Sequence, residues 1–152
     1  MDEPFVFEPA DDLYDEELYL CLMDTMPADD ARGWVPAYAF EIVIRETHEP
    51  VGEINLRVGD IDTLFFAGNI GYTIDQAHRG HRYASKACRL LLPLARRHGL
   101  RRVLITCNPG NLASRRTAEL LGAQLAGIEP ISPQHDMYRQ GEREVCRYVL
   151  EL

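Results

Sequence analysis

The most constraining feature is a strand that passes within a few residues into a strong amphipathic helix. Gly71-Tyr72-Thr73-Ile74-Asp75 reads as the end of a strand, and Arg79-Gly80-His81-Arg82-Tyr83-Ala84-Ser85 opens the helix. Ala84, Ala87, Cys88, Leu91, Leu92 and Ala95 recur at three- and four-residue steps, and Gly99 is placed to end the helix. Pro93 lies inside this stripe. It removes one hydrogen bond and crowds the preceding turn, so the spacing predicts a kink rather than a break.

Around this unit the sequence alternates strands and helices. Residues 17–22 predict a strand with Leu18, Leu20 and Leu22 on one face, followed by a loop over 24–36 with a short helical turn after Pro27. Residues 38–45 and 51–58 read as two hairpin strands joined at His48-Glu49-Pro50. In the second, Ile54, Leu56 and Val58 share one face while Glu53, Asn55 and Arg57 share the other. Residues 64–75 predict one longer strand, where Gly68 and Gly71 mark a bulge or a close backbone approach. Residues 103–107 form a short buried strand, and 111–121 a second helix capped by Asn111 and stopped by Gly122. Strands over 124–128 and 143–152 close the chain, separated by a loop over 129–141. Several antiparallel strands, then helix, strand, helix and two strands describe an α/β (α+β) fold around a mixed sheet.

At 152 residues the chain fits one domain over 1–152, large enough to bury a core without staples. A formal charge of -8 argues against a nucleic-acid partner, because phosphate affinity comes from Lys and Arg. Most of the negative excess lies in the first 35 residues, from Asp2 and Glu3 to Asp30, whereas 79–116 is basic. Cys21, Cys88, Cys107 and Cys146 are far apart, with no zinc-type spacing, and read as reduced thiols with no metal site. Met1-Asp2-Glu3-Pro4 lacks a signal-peptide start and no apolar run has membrane-spanning length, so a cytoplasmic protein is expected.

The chemistry concentrates in 79–85. A helix N-terminus presents unpaired N–H groups and a partial positive charge, and Arg79, His81 and Arg82 add cations at the same place. This is an anion site. The chain has neither a G-x-x-x-x-G-K-[ST] loop nor a G-x-G-x-x-G fingerprint, which disfavours a nucleoside triphosphate or a dinucleotide.

These residues resemble the pyrophosphate loop of the GNAT acetyltransferase superfamily, which reads Arg or Gln, two residues, Gly, one residue, then Gly or Ala. Arg79 and Ala84 match its ends, and Arg82 stands where the family has glycine. The resemblance implies that Arg82 adopts the required backbone angles and offers its guanidinium to a phosphate. It extends to the following strand and to Asn111-Leu112-Ala113-Ser114 through Leu121-Gly122-Ala123, covering about half of the chain. It implies a GNAT-like, mainly antiparallel central sheet flanked by helices, with a reduced N-terminal helical region because only 24–36 separates the first two strands. The implied ligand is acetyl-CoA, with Arg79, Gly80, His81, Arg82, Tyr83, Ala84 and Ser85 around the pyrophosphate. Asn111 would bond the pantetheine arm, and the backbone of Tyr72, Thr73 and Ile74 would meet its amides and polarise the thioester carbonyl. Asn111 and Ser114 also suit an ordinary helix cap, which any helix start uses.

The implied reaction is attack of a primary amine of a small molecule or protein on the thioester, which calls for general acid-base groups. The tyrosine that many family members carry in the second helix is Ala118 here. Glu53 and Tyr138 are the catalytic candidates elsewhere. Each also has a structural reading: Glu53 as a solvated strand residue or an ion-pair partner of Arg57, and Tyr138 as a loop aromatic packed on the sheet. His48, His98 and His135 read as surface residues. Trp34 and Pro36-Ala37-Tyr38 would wall a shallow, open acceptor site, with the acidic N-terminal residues favouring a cationic amine. An exposed edge over 146–152 would offer a homodimer contact. The alternative is a non-catalytic acyl-CoA-binding or sensing module that keeps the fold without turnover.

Overall fold

A computed structural model describes residues 4–152, so Asp2 and Glu3 of the acidic N-terminal cluster, and the start of the Met1-to-Pro4 stretch, lie outside the described residues. Seven strands form a single sheet: β1 (Leu18–Met26), β2 (Ala37–Ile44), β3 (Pro50–Arg57), β4 (Ile70–Ile74), β5 (Arg102–Cys107), β6 (Gln124–Pro130) and β7 (Glu144–Glu151). Their order is β1-β2-β3-β4-β5-β7-β6. Every adjacent pair is antiparallel except β4 with β5, which are joined by the crossover helix α1 (Tyr83–Arg97). The helix α2 (Leu112–Leu120) follows β5, and a four-residue α3 (Asp136–Arg139) lies between β6 and β7.

Strand alternation sorts the two faces of this sheet. Phe40, Ile54 and Tyr72 are aligned across β2, β3 and β4, and Leu56, Ile70, Ile105 and Tyr148 continue the row through β5 and β7. Ala87, Cys88, Leu91, Leu94 and Ala95 of α1 pack on this face with Ala118 of α2, forming the core. α1 continues through Pro93, which sits on its exposed side, where a missing N–H is least costly. Asn111 caps α2 by accepting from the backbone N–H of Ser114 at 3.2 Å.

The opposite face carries Glu41, Glu53, Asn55, Arg57 and Thr73 and has neither α1 nor α2 against it. Between β1 and β2 the helical content is one three-residue 3₁₀ turn, Asp30–Arg32, consistent with the reduced N-terminal helical region. Asp12 and Glu17, expected to favour a cationic amine, instead bind Arg97 and Lys86 of α1 at 2.6 Å each.

Several boundaries differ from the sequence reading. The strand expected over 64–75 is only β4, because residues 61–67 coil into turns in which Leu64 N–H bonds Asp60 and Gly68 N–H bonds Leu64. The Asp60 carboxylate accepts from the N–H groups of Asp62 and Thr63 and from the Thr63 hydroxyl, a local capping that propensity for strand does not overcome. Gly68 does mark a close approach, since a Cβ there would lie 2.8 Å from the Leu104 carbonyl oxygen. β1 runs on to Met26 through an irregularity between Leu22 and Asp24, which leaves Leu22 exposed although Leu18 and Leu20 are buried. The expected C-terminal edge is not one: β7 lies between β5 and β6, and the sheet edges are β1 and β6. β6 extends to Pro130, and α3 occupies part of the expected loop. Cys88, Cys107 and Cys146 are buried and Cys21 is exposed, all as free thiols. No helix among the described residues is long and apolar enough to cross a membrane, and no cluster of three or more metal-ligating side chains occurs among them.

Candidate functional site

The parallel pair β4 and β5 sits at the centre of the sheet and meets at one register position, Ile70 opposite Ile105. Beyond Ile70 the strands part. Asp75 N–H bonds Val51 of β3, so by antiparallel alternation the backbone groups of Gly71 and Thr73 also face β3. Those of Tyr72 and Ile74 therefore face the gap, where the Ile74 carbonyl accepts from Arg79 Nε at 3.3 Å.

The gap leads to the start of α1. No side chain caps this helix, so its first N–H groups have no internal partner. Gly80 has φ +92 with nothing within 4 Å of where a Cβ would stand. Arg82, at the N-cap, has φ 61 and ψ 26, the left-handed region that favours glycine. The chain here turns as the glycine-bearing loop would, and Arg82 pays the backbone cost while keeping a guanidinium.

α2 supplies the facing wall, giving a cleft of about 600 Å³ lined by Tyr72, Thr73, Ile74, Arg79, Gly80, Arg82, Tyr83, Ala84 and Asn111. These are nine of the eleven residues that the sequence assigned to the cofactor. His81 stacks on Tyr83 outside the lining, and the Ser85 side chain is buried and bonds Arg82 O at 3.1 Å. The sequence reading missed His78, Ala113, Arg116, Thr117 and Leu120 in the lining. The last four fall at three- and four-residue steps on α2, so the helical period that located its buried side would also have located this wall. The Tyr72 hydroxyl points at α2, 3.4 Å from Ser114 O, and burial pushes its pKa up to about 12.

A second cavity, of about 770 Å³, lies toward the opposite face. Trp34, Val35 and Ala37 line it, together with Arg57, residues 62–67 and residues 134–136, while Pro36 of the expected acceptor wall is not in the lining. Tyr38 instead points into the core, where its hydroxyl accepts from Glu8 N–H and bonds His98 Nε2 at 2.6 Å.

Residues 7–124 match the family model for the acetyltransferase (GNAT) domain. The chain belongs to the GNAT family. Among solved structures it is similar to a GNAT-family acetyltransferase from Bacillus anthracis at 21% identity, TM-score 0.59, covering 74% of this chain and 65% of that one. It is also similar to a ribosomal-protein-S5-alanine acetyltransferase from Vibrio fischeri at 19% identity and TM-score 0.60, covering 76% and 61%. The ribosomal L7/L12 alpha-N-protein acetyltransferase RimL in complex with coenzyme A matches at 18% identity and TM-score 0.65, covering 95% and 97%. The chain thus spans less than two thirds of the length of some of these relatives. No curated protein sequence matches it.

Within this GNAT domain the two catalytic candidates are not brought together. Glu53 is exposed on β3 opposite Thr73, on the face away from α1, and forms no ion pair with Arg57. Tyr138 lies in α3 with the Arg143 guanidinium 3.7 Å from its ring centroid, and it lines neither cavity. Ala118 is fully buried against the sheet. His98 is not a free surface residue, since it bonds Tyr38 and stacks on Phe5. His135 lines the second cavity while its Nδ1 accepts from Met137 N–H.

Proposed function

We propose that this protein transfers an acetyl group from acetyl-CoA to a primary amine. The observation that carries the reading is the parting of β4 and β5 directly into an uncapped, cation-rich start of α1. The residues present fit the cofactor. The free N–H groups of the first turn, with Arg79 and Arg82, suit a pyrophosphate. The Tyr72 and Ile74 backbone suits the amides of an extended pantetheine, which takes the place of a missing strand. Asn111 stands at the α2 end of the same cleft.

Acetyl-CoA, when bound, supplies an activated thioester. The backbone N–H groups of the splayed strand polarise its carbonyl. The amine nitrogen bonds the acetyl carbon, the C–S bond breaks with its electron pair leaving on sulfur, and the ammonium proton passes to a base. Glu53 is the proposed base, because it is solvent-reached on β3 beside Thr73. Tyr138, held by Arg143, has no supporting contact for the acid role. Tyr72, with a pKa near 12, stays protonated and donates a hydrogen bond rather than a proton. A strong acid is not required here. A thiol ionises near pH 8.5, so thiolate is an adequate leaving group at neutral pH. The alanine at 118 therefore does not by itself point to a catalytically silent module.

The test is thermal denaturation with acetyl-CoA, free CoA and ATP, followed by amine-dependent release of CoA thiol. Both CoA species are expected to raise the melting temperature by mass action, and Gly80→Asp to abolish the shift. Glu53→Gln is expected to lower kcat/KM by about 10²-fold or more and leave the CoA shift intact. A shift without thiol release for any amine supports the binding-module alternative. No shift with either CoA species refutes both readings.

A further inference from the structure

The second cavity, which Asp62 and Asp136 also line, contains a cation that no ion pair among the described residues engages. Arg57 projects from β3 into it, half-buried. Its contacts within the protein are two long hydrogen bonds, both from Nη1, to Ala67 O at 3.4 Å and Gly68 O at 3.3 Å. None of the ion pairs among the described residues includes it. Burial lowers its pKa, the expected response of a cation losing water without gaining an anion. A guanidinium has five donors in a fork that suits a carboxylate, and most of them are unused here.

Its position is more telling than its charge. The point where a Cβ on Gly71 would stand is 3.6 Å from Arg57 Nη1 and 3.1 Å from Asn55 Oδ1. Asn55 Oδ1 is itself buried with no hydrogen-bond partner. Gly71 directly follows Ile70, the last point of contact between β4 and β5. The Arg57 guanidinium and the Asn55 amide thus close over Gly71 on the far face of the sheet, one residue from where the cofactor cleft begins. The neighbouring charges are accounted for. Arg32 is engaged by Asp29 and Asp136 by Arg139, while Asp62 is exposed and outside ion-pair distance of Arg57.

We propose that Arg57 binds a carboxylate of the acetyl acceptor, so that the substrate class is an amine that also bears a carboxylate. The inference rests on the reading of the β4–α1 cleft as the acetyl-CoA site. The carbon skeleton lies against Trp34, Val35 and Phe66, which line the same cavity. Held by its anion, the acceptor directs its amine toward the parting strands. The net acidity of the chain, -8, makes a half-buried arginine outside any ion pair the more specific signal for such a ligand.

The test is calorimetric binding to the CoA-saturated protein of free amino acids and acidic dipeptides, each beside its carboxamide. Wild type is expected to prefer the carboxylate member by about tenfold or more, a difference that Arg57→Gln removes and Arg57→Lys keeps in part. The two probe sets tell a free amino acid from a peptide acceptor. Gly71→Ala crowds Asn55 and the Arg57 guanidinium without changing charge and is expected to weaken the same probes, which guards against misfolding of an Arg57 variant. Equal binding of acid and amide, discrimination that survives Arg57→Gln, or no binding of any probe at millimolar concentration overturns the assignment. The CoA-induced melting shift is measured on every variant. Its absence from wild type alongside Arg57-dependent carboxylate binding refutes the cofactor reading and leaves the carboxylate site standing.

Discussion

Replacing Arg82 separates two contributions that this residue combines. Its φ of 61 and ψ of 26 cost a side-chain-bearing residue about 1 kcal/mol relative to glycine. Its guanidinium, lining the cofactor cleft, would gain about 1.5–3 kcal/mol from a charge-assisted bond to phosphate. Arg82→Gly removes the strain and the charge, whereas Arg82→Ala removes only the charge. The apo glycine variant is therefore expected to melt above the alanine variant by the full strain, about 1 kcal/mol, less a few tenths for the larger unfolded entropy of glycine. For a chain of 152 residues that difference is about 1–3 °C in melting temperature. Both variants lose the same phosphate contact, so both are expected to bind CoA about ten- to a hundredfold more weakly at low salt, with a shallower salt dependence. Differential scanning of the apo proteins and calorimetric CoA titration at two salt concentrations read the two effects independently. An alanine variant as stable as the glycine variant refutes the strain. Unchanged CoA affinity in both refutes the role of the guanidinium and leaves the site to Arg79 and the helix N–H groups.

Two further outcomes follow from packing and titration. At Gly52 a Cβ would stand 2.3 Å from Thr73 O and 3.0 Å from Ile74 Cα, both backbone, so Gly52→Ala has to push β3 from β4. The expected loss is about 3 kcal/mol in a denaturant melt, and a loss below about 1 kcal/mol contradicts the close approach. His98 has its pKa lowered, first by burial, with Glu8 opposing. Tyr38, Phe5 and Arg97 complete its surroundings. The folded pKa lies below the unfolded value of 6.5, so the fold favours the neutral ring. That contribution is present above pH 6.5 and is lost as pH falls through the lower folded value. Stability measured at pH 7.5 and pH 5.5 (about one unit either side) is expected to fall more in wild type than in His98→Gln, and equal losses rule out the linkage.

The cofactor cleft was legible because it is nearly contiguous. Residues 71–85 run from the splayed strand to the first turn of α1, and each step leaves a local mark: alternation, a turn, a glycine and the helical stripe. Asn111 joins from outside this segment; its capping signal marked only a helix start, and its place at the cleft was implied by the family resemblance. The strand over 64–75 was misread for the same reason that local reading works elsewhere. Leu64, Phe65 and Phe66 have strand propensity, but Asp60 four residues earlier captures the N–H groups of Asp62 and Thr63 and starts a coil. β7 looked like an edge because the sequence ends there. That β6 folds back outside it depends on pairings of Ile128 with Cys146 and Gln124 with Val149, which leave no local trace.

The acceptor side was illegible on deeper grounds. An arginine on the polar face of a strand reads as solvated, and Glu53 four residues earlier offered it a partner. What distinguishes Arg57 is the failure of that pairing. It depends on the carbonyls of Ala67 and Gly68 taking its Nη1, on Gly71 letting Asn55 and the guanidinium pack close over the strand, and on residues 134–136 closing the cavity from the far end of the chain. The same geometry separates the two tasks. α1 and α2 hold the core and the proposed phosphate end on one face, while Arg57 and Trp34 would meet the other ligand from the opposite face. A change of acceptor specificity at Arg57 therefore leaves the buried row from Phe40 to Tyr148 untouched. By the distance rule for additivity, substitutions at Arg57 and Arg82 should act nearly independently on stability, and in catalysis they should couple only through the bound pair of substrates. Non-additive effects on apo stability would show that the faces are mechanically joined and would undo this division of labour.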